Sequence, residues 1–565
     1  MKAVKFDDVQ RMLEDWIDNL PLANPLKVSE LIYSKLAELP ITEIKPIESV
    51  QLLEMLRPAV DLVSVLLQAH LGNKGAQSII ETDNQITFAM SLLTRYASAY
   101  AVLLNSINSD ERFVNGKPLL AVCIHRALSC LSHVLLIAYQ LYRTPPTQIW
   151  LRVHKLYLQA ERIGLASFSL PHASDEAQTI SEIYKICILL ASANPYQLRP
   201  LEMYRLYQAL LQWSHYTKIK SSSFENTLII IKLDEDAPPF YQKPGQPLNS
   251  SPFLRGLDTT DLVAHIIISI KQHGATLNAH ESVLPPHVLQ NIANSWSRFT
   301  ARLNERNVDN SAVQVSIGIT STHTHVSAEN GLFYLDTQSP DEQAKTFQVI
   351  QNPIQPNQTP TSTVFDDPWD TSFSHTNEFK QLVDSYPLFN WQIVNSSAHG
   401  FCLEVNIQQM IAIEAGELIG LYQKENKSAP WRIATIRWIK KIDDYRFQLG
   451  LLILASSAVT ATVQLSNSPS KHHYRAFILS NDQNISKLKA DKFILDTPDI
   501  DEYSIVFPAL DLIPGEHLIV LYGEHRTRIK LMEPLCLNSK FYQFKYQIIN
   551  ENLAFESNDS SESIK

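Results

Sequence analysis

As far as Trp213 the apolar residues recur every third or fourth position, and the elements they predict are helices. Val28, Leu31, Ile32, Leu36 and Leu39 mark the inner face of one helix. Asn24 serves as its N-cap, Pro25 takes the first helical position, where its missing N–H costs nothing, and Pro40 stops the run. Residues 47–71 form a second such pattern, expected to bend at Pro58, which has no N–H to donate. Residues 87–104, 117–143, 148–163, 175–193 and 201–213 repeat the signal, separated by breakers such as Thr144-Pro145-Pro146 and Asn194-Pro195. Links this short favour antiparallel neighbours, so the region reads as an array of helical hairpins without a fixed-period repeat.

From Phe224 the pattern changes. Residues 227–233 are a short β-type run, followed by the loop Asp236-Ala-Pro-Pro-Phe240. Asp258 looks like the cap of a helix over 260–271, and Pro285-Pro286 opens another that carries Ile292 and Trp296 and runs into an Arg-bearing segment, 297–307. Beyond it Val313, Val315, Ile317 and Ile319 alternate with polar or small residues at period two. Short strands follow at 391–394, 401–405, 417–422, 431–442 and 445–454, and a second β-rich group begins near His473. The expected class is multidomain α + β. An N-terminal all-α helical-hairpin array spans 1–223, a mixed connecting segment 224–295, and a small β-barrel 296–465. A second small β-rich domain, either another barrel or a covering layer, spans 466–550. The stretch 327–385, rich in Pro, Ser, Thr, Asn and Asp, reads as a flexible insertion in the first barrel, and 551–565 as a disordered acidic tail.

Composition narrows the function. The chain has 565 residues and a net charge of −10, which argues against broad capture of a nucleic acid polymer or an anionic lipid surface. Five cysteines without a CxxC pair fit a reducing compartment, hence a cytoplasmic protein, rather than a disulfide framework. No apolar leader follows the first Met, and the most apolar stretch, 119–139, is broken by His125, Arg126, Ser129, Ser132 and His133, so a buried helix is expected there and no membrane span. Walker A, GxGxxG, GxSxG and HExxH patterns are missing, and no nucleophile–base set stands out, so an enzyme is not expected. Thr322-His-Thr-His325, read as a strand, would put both imidazoles on one face, but no third ligand is near in sequence and no metal is expected.

Two motifs carry the sharper chemistry. Arg298-Phe-Thr-Ala-Arg302 overlaps Arg302-Leu-Asn-Glu-Arg306, so two RxxxR frames share Arg302 just ahead of the strand at Val313. Far downstream stands Asn395-Ser-Ser397-Ala-His-Gly400 between two β-type runs, followed by Gly416-Glu-Leu-Ile-Gly-Leu, Trp431-Arg-Ile-Ala-Thr-Ile-Arg-Trp438 and Phe447-Gln-Leu-Gly450. This set resembles the PilZ domain, a small β-barrel whose RxxxR arm and [D/N]xSxxG turn bind the bacterial second messenger cyclic di-GMP. The resemblance covers about 296–465, and Ala193-Asn-Pro-Tyr-Gln-Leu-Arg-Pro200 looks similar to a larger bacterial PilZ-containing family. It implies a ligand site of Arg298, Arg302, Arg306, Asn395, Ser397 and Gly400, with Arg302 and Arg306 as the favoured frame. The residue types suit the ligand: an arginine fork bonds a phosphate or the guanine O6/N7 edge bidentately and stacks on a base, Asn and Ser meet base edges, and Gly lets backbone approach closely. The same resemblance implies a receptor that passes the signal to an unidentified protein partner through its helices, in control of pili, flagella or biofilm. The alternative is a ligand-independent scaffold.

Overall fold

A computed structural model describes residues 6–72, 83–109, 116–170, 179–222, 224, 227–243, 245, 248, 251–273, 284–299, 306–330, 383–406, 413–423, 431–443, 445–466, 472–480, 503–510, 512–522 and 525–549. The chain forms two compact units, one of Met1–Asn307 with Cys402–Ala415 and Arg437–Gly450, the other of Val308–Phe401, Gly416–Ile436 and Leu451–Lys565.

The first unit is mainly helical: α1 (Phe6–Asp18), α2 (Pro25–Glu38), α3 (Pro46–Gly72), α4 (Asp83–Ser109), α5 (Lys117–Gln140), α6 (Ile149–Arg162), α7 (Ile180–Ser192) and α8 (Pro200–Trp213). The starts follow the chemistry of the orphan amides. Asn24 accepts from the Lys27 N–H at 3.1 Å, with Pro25 opening α2. Thr179 and Glu182 cap α7 reciprocally at 2.9 and 3.1 Å. Pro58 lies inside α3. Helix α5 is the centre of the array, packed on α4, α6, α7 and α8, and buried round nearly its whole circumference. By length and composition α4 and α5 could cross a membrane, but 78% of the α5 stretch is buried within the protein. The Asn-Pro-Tyr-Gln-Leu-Arg-Pro turn is a set of clamps. Asn194, in the left-handed region at φ 54°, donates to Ser295 Oγ at 2.8 Å, Tyr196 donates to the Arg143 carbonyl at 3.1 Å, and Arg199 Nε donates to the Ala415 carbonyl at 3.1 Å.

A four-stranded antiparallel sheet follows in the same unit, β1 (Lys218–Lys220), β2 (Ile229–Lys232), β3 (Phe240–Tyr241) and β4 (Leu254–Asp258), in the order β1-β4-β2-β3. Its loop Asp236 is not free: the carboxylate accepts from the Gln148 and Leu151 amides at 2.6 and 3.0 Å and so caps α6 from a distance. Arg255 grips Glu161 of α6 in a fork, at 3.0 and 2.5 Å. Helices α9 (Thr260–His273) and α10 (Pro286–Ser297) complete the unit. Asp258 sits one position ahead of the α9 cap and accepts from the amide and hydroxyl of Thr260. Lys220, and after it those bonds, hold its carboxyl down at about 2.

Strands β5 (Asn307–Val308), β6 (Ala312–Ile317), β7 (Phe389–Ser397), β8 (Gly400–Asn406), β9 (Leu418–Tyr422), β10 (Arg432–Lys441) and β11 (Arg446–Ala455) form one sheet in the order β5-β7-β6-β9-β10-β11-β8. An additional β7–β8 pairing closes six of them into a ring. The C-terminal group, β12 (Ser457–Leu465), β13 (His473–Ser480), β14 (Tyr503–Pro508), β15 (His517–Tyr522), β16 (His525–Leu537) and β17 (Phe541–Ile549), is a second closed barrel. Strand β12, expected in the first barrel, belongs to the second. Its alternation shows why: Val459, Ala461 and Val463 fill the second barrel, while Ala458 turns outward to a core with Trp431, Ile433, Phe477, Leu479 and Val506.

The expected strand through Thr322-His-Thr-His325 is instead a helix, α11 (Ile319–Asn330). Gly318, at φ +86°, turns the chain out of β6, donates to the Leu418 carbonyl at 2.8 Å and offers its own carbonyl to the Thr322 amide. α11 packs on β6, β9, β12 and β13. Two positions apart on a helix, the imidazoles diverge. His323 Nε2 donates to the Ala461 carbonyl at 3.0 Å, while His325 bonds the Tyr386 carbonyl at 3.1 Å and stacks on Trp431. Ser327, taken as the start of the insertion, is buried at the end of α11. Most of that insertion (331–382) and the whole tail (551–565) lie outside the described residues.

Burial, with Arg475 adding repulsion, pushes the His323 imidazole down to about 4. Burial and Arg199 do the same to His287, and His154 is lowered by burial between Tyr184 and the Ala237 carbonyl. A histidine whose folded pKa lies below its unfolded value is protonated first in the unfolded chain, so its stabilising contribution is complete above about pH 6.5 and lost as pH falls towards 4. At pH 5 the loss at His323 is on the order of 2 kcal/mol. Thermal melts are expected to fall steadily from pH 7 to 5. His323→Gln, which keeps a donor for Ala461, should flatten that dependence; an unchanged slope would contradict the assignment.

Candidate functional site

β7 and β8 form a hairpin whose link is only Ala398 and His399, so the Asn395-Ser-Ser-Ala-His-Gly segment is the turn that the sequence implied. Ser397 Oγ donates across it to the Gly400 carbonyl at 3.2 Å. The His399 carbonyl accepts from the Ile453 amide of β11 at 3.0 Å. Gly400 is needed for space and not for a left-handed φ: a Cβ there would stand 2.3 Å from the Leu451 carbonyl oxygen.

Against this turn lies a cavity of about 550 Å3, in the range of small-molecule sites. Ser396, Ser397, His399 and Phe401 line one side; Gln423, Arg432, Leu454 and Ser456 line others, and Asp309 enters from the segment ahead of β6. Two opposite charges meet here. The Arg432 guanidinium lies over the Phe401 ring, 5.7 Å from its centroid, a cation–π position that fixes the fork beside the turn. Asp309 accepts from Ser311 Oγ at 2.7 Å and the Ser311 amide at 3.0 Å, and Ser396 also bonds it. These hydrogen bonds hold its carboxyl below the usual range. The backbone is tied at the same place, with the Asp309 amide donating to the Val394 carbonyl at 3.2 Å.

Of the residues proposed from sequence, Ser397 lines the cavity. Asn395 and Gly400 flank the lining residues without being among them, and both are half-buried. Arg298 ends α10, its amide bonded to the Asn294 carbonyl. Arg302 lies outside the described residues. Arg306 is exposed, three positions before Asp309. It is close enough to Cys402, two residues past Gly400 on β8, to draw that thiol down, though burial outweighs it and the thiol stays above its ordinary pKa. Asp309, Phe401 and Arg432 were missed by reading motifs. Arg432 does carry a signal: it is the charged position after Trp431, at the start of a strand whose next four residues are all buried.

Residues 11–223 match the family model described as the N-terminal domain of the cyclic-di-GMP receptor FimW, and residues 228–459 that of its middle PilZ domain. A curated relative, the cyclic-di-GMP receptor FimW of Pseudomonas aeruginosa strain PAO1, is 26% identical over 581 residues, covering 96% of this chain and 91% of its own. No solved structure matches.

Because Gly400 packs its bare Cα against Leu451, Gly400→Ala is expected to cost about 1–3 kcal/mol. Urea denaturation checks this; a midpoint equal to that of the parent protein would show that β8 and β11 do not approach so closely.

Proposed function

We propose that this chain, which belongs to the PilZ-domain family, is a cytoplasmic receptor for cyclic di-GMP that binds the nucleotide at the β7–β8 turn. The observation that carries the reading is the cavity itself. It sets a hydroxyl (Ser397), a guanidinium over an aromatic ring (Arg432) and an ionised carboxylate (Asp309) around one space, at the turn where the family's motif falls.

The chemistry of a guanine dinucleotide fits such a set. Asp309 can accept from the guanine N1–H and N2–H2 donors, and Arg432 can bond a phosphate or the O6/N7 edge bidentately. The arm supplies the remaining positive charge. Arg306 is within roughly 10 Å of chain from Asp309, since each residue spans at most about 3.5 Å, and Arg302 stands one helical turn's spacing earlier in sequence. In this reading Arg302 and Arg306 clamp the phosphates or stack on the bases, with Arg298 supporting. Ser397 and Asn395 meet the base edge, and Gly400 holds the turn against β11. The name of the relative, a cyclic-di-GMP receptor, supports the same ligand. The output is a protein partner docked by the helices, with surface attachment or motility as the behaviour controlled. A ligand acts on that output only through unequal affinity for two arrangements of the protein.

Calorimetry with cyclic di-GMP tests this. Binding in the low micromolar range, ~−8 kcal/mol, is expected. Arg302→Ala and Arg306→Ala should each weaken it by about 1.5–3 kcal/mol, Arg432→Ala by a similar amount, and Ser397→Ala by about 1 kcal/mol. Neither heat nor thermal shift at millimolar nucleotide would replace the receptor with a ligand-independent scaffold.

A further inference from the structure

The helical unit holds a second cavity, of about 570 Å3, between α2, α4 and the segment joining α5 to α6. Three guanidiniums from three separate elements meet there: Arg95 on α4, Arg143 just past α5, and Arg152 on α6. None of the described lining residues is acidic. In a chain of net charge −10, three guanidiniums around one hollow with no carboxylate among its described lining residues are not what chance supplies. Since the three arginines are far apart in sequence, the periodicity of a single solvated helix face does not account for them.

Each of the three is placed differently. Arg95 sits over Tyr33 of α2, its guanidinium carbon 4.4 Å from the ring centroid, a contact with the ring face that uses none of its N–H groups on a carboxylate. Arg143 donates to Thr87 Oγ1 at 3.0 Å, and its carbonyl is fixed by Tyr196. Arg152 is exposed; neither it nor Arg95 has a carboxylate partner among the described residues. The α6 amides near Arg152 are already taken by Asp236, so the attraction for an anion comes from the side chains and not from the helix end.

From this arrangement we infer that the helical region carries an anion site of its own, separate from the β7–β8 turn, for a small molecule bearing at least two phosphate groups. Two forks on separate elements, neither with a carboxylate partner among the described residues, ask for two anionic groups, and the size of the cavity fits a small ligand rather than a polymer.

Inorganic pyrophosphate titrated into the full chain at fixed ionic strength is the test. A single saturable site is expected, with orthophosphate bound about tenfold more weakly. Arg95→Ala and Arg152→Ala should each weaken pyrophosphate at least about tenfold, and Arg306→Ala should leave it unchanged. Arg152 is exposed, so Arg152→Ala should melt with the parent protein and keeps the test valid should Arg95→Ala disturb the contact with Tyr33. The site is overturned by any of these: no heat up to ~10 mM, equal affinity in both variants, equal displacement by sulfate, or loss of binding in Arg306→Ala, which would place the anion at the barrel.

Discussion

The turn site depends on one close approach of backbone to backbone. β8 begins at Gly400 with no side chain between it and the Leu451 carbonyl, and the His399 carbonyl is held by the Ile453 amide. That double contact keeps Ser397 and Phe401 beside the residues of β11. Phe401 in turn gives Arg432 a surface to lie on, and Ser396 gives Asp309 a donor. Remove the approach and the cavity has no reason to keep its shape, whatever its polar residues.

The charges around that cavity are arranged for discrimination as much as for attraction. An arginine cluster alone would take any anion of suitable size. Asp309, kept ionised by Ser311 and Ser396, repels phosphate but rewards N–H donors. A ligand that satisfies both Asp309 and Arg432 needs a donor edge and an acceptor group a short distance apart, as guanine nucleotides have.

Much of this was readable before any coordinates. Asn24-Pro25 and Pro200 open helices by removing or satisfying orphan amides, a local matter that sequence encodes directly. The Asn395–Gly400 turn was legible because small turn residues interrupt two alternating runs. Thr322-His-Thr-His325 was misread because alternation over so few residues is ambiguous. What decides its helix is Gly318 turning out of the strand and the burial of both faces of α11 by strands far along the chain. Asp309 and Arg432 could not be paired from spacing, because it is the closure of the sheet that makes them neighbours; Asp309 belongs to no motif, and Arg432 stands in the block Trp431–Trp438 without being marked there as a ligand residue. The arm was legible as a motif, and Arg302 itself lies outside the described residues.

Between the last strand of the first barrel and the first strand of the second stands a single residue, Ser456, which also lines the cavity. Sequence similarity to the middle domain stops at residue 459, the third residue of β12. Anyone excising that domain for crystallisation at the apparent boundary would cut β12 short and strip Phe477, Leu479, Val506 and Phe541 from the core they share with Leu418, Trp431 and Ile433. The smallest fragment worth expressing around the turn therefore carries both barrels.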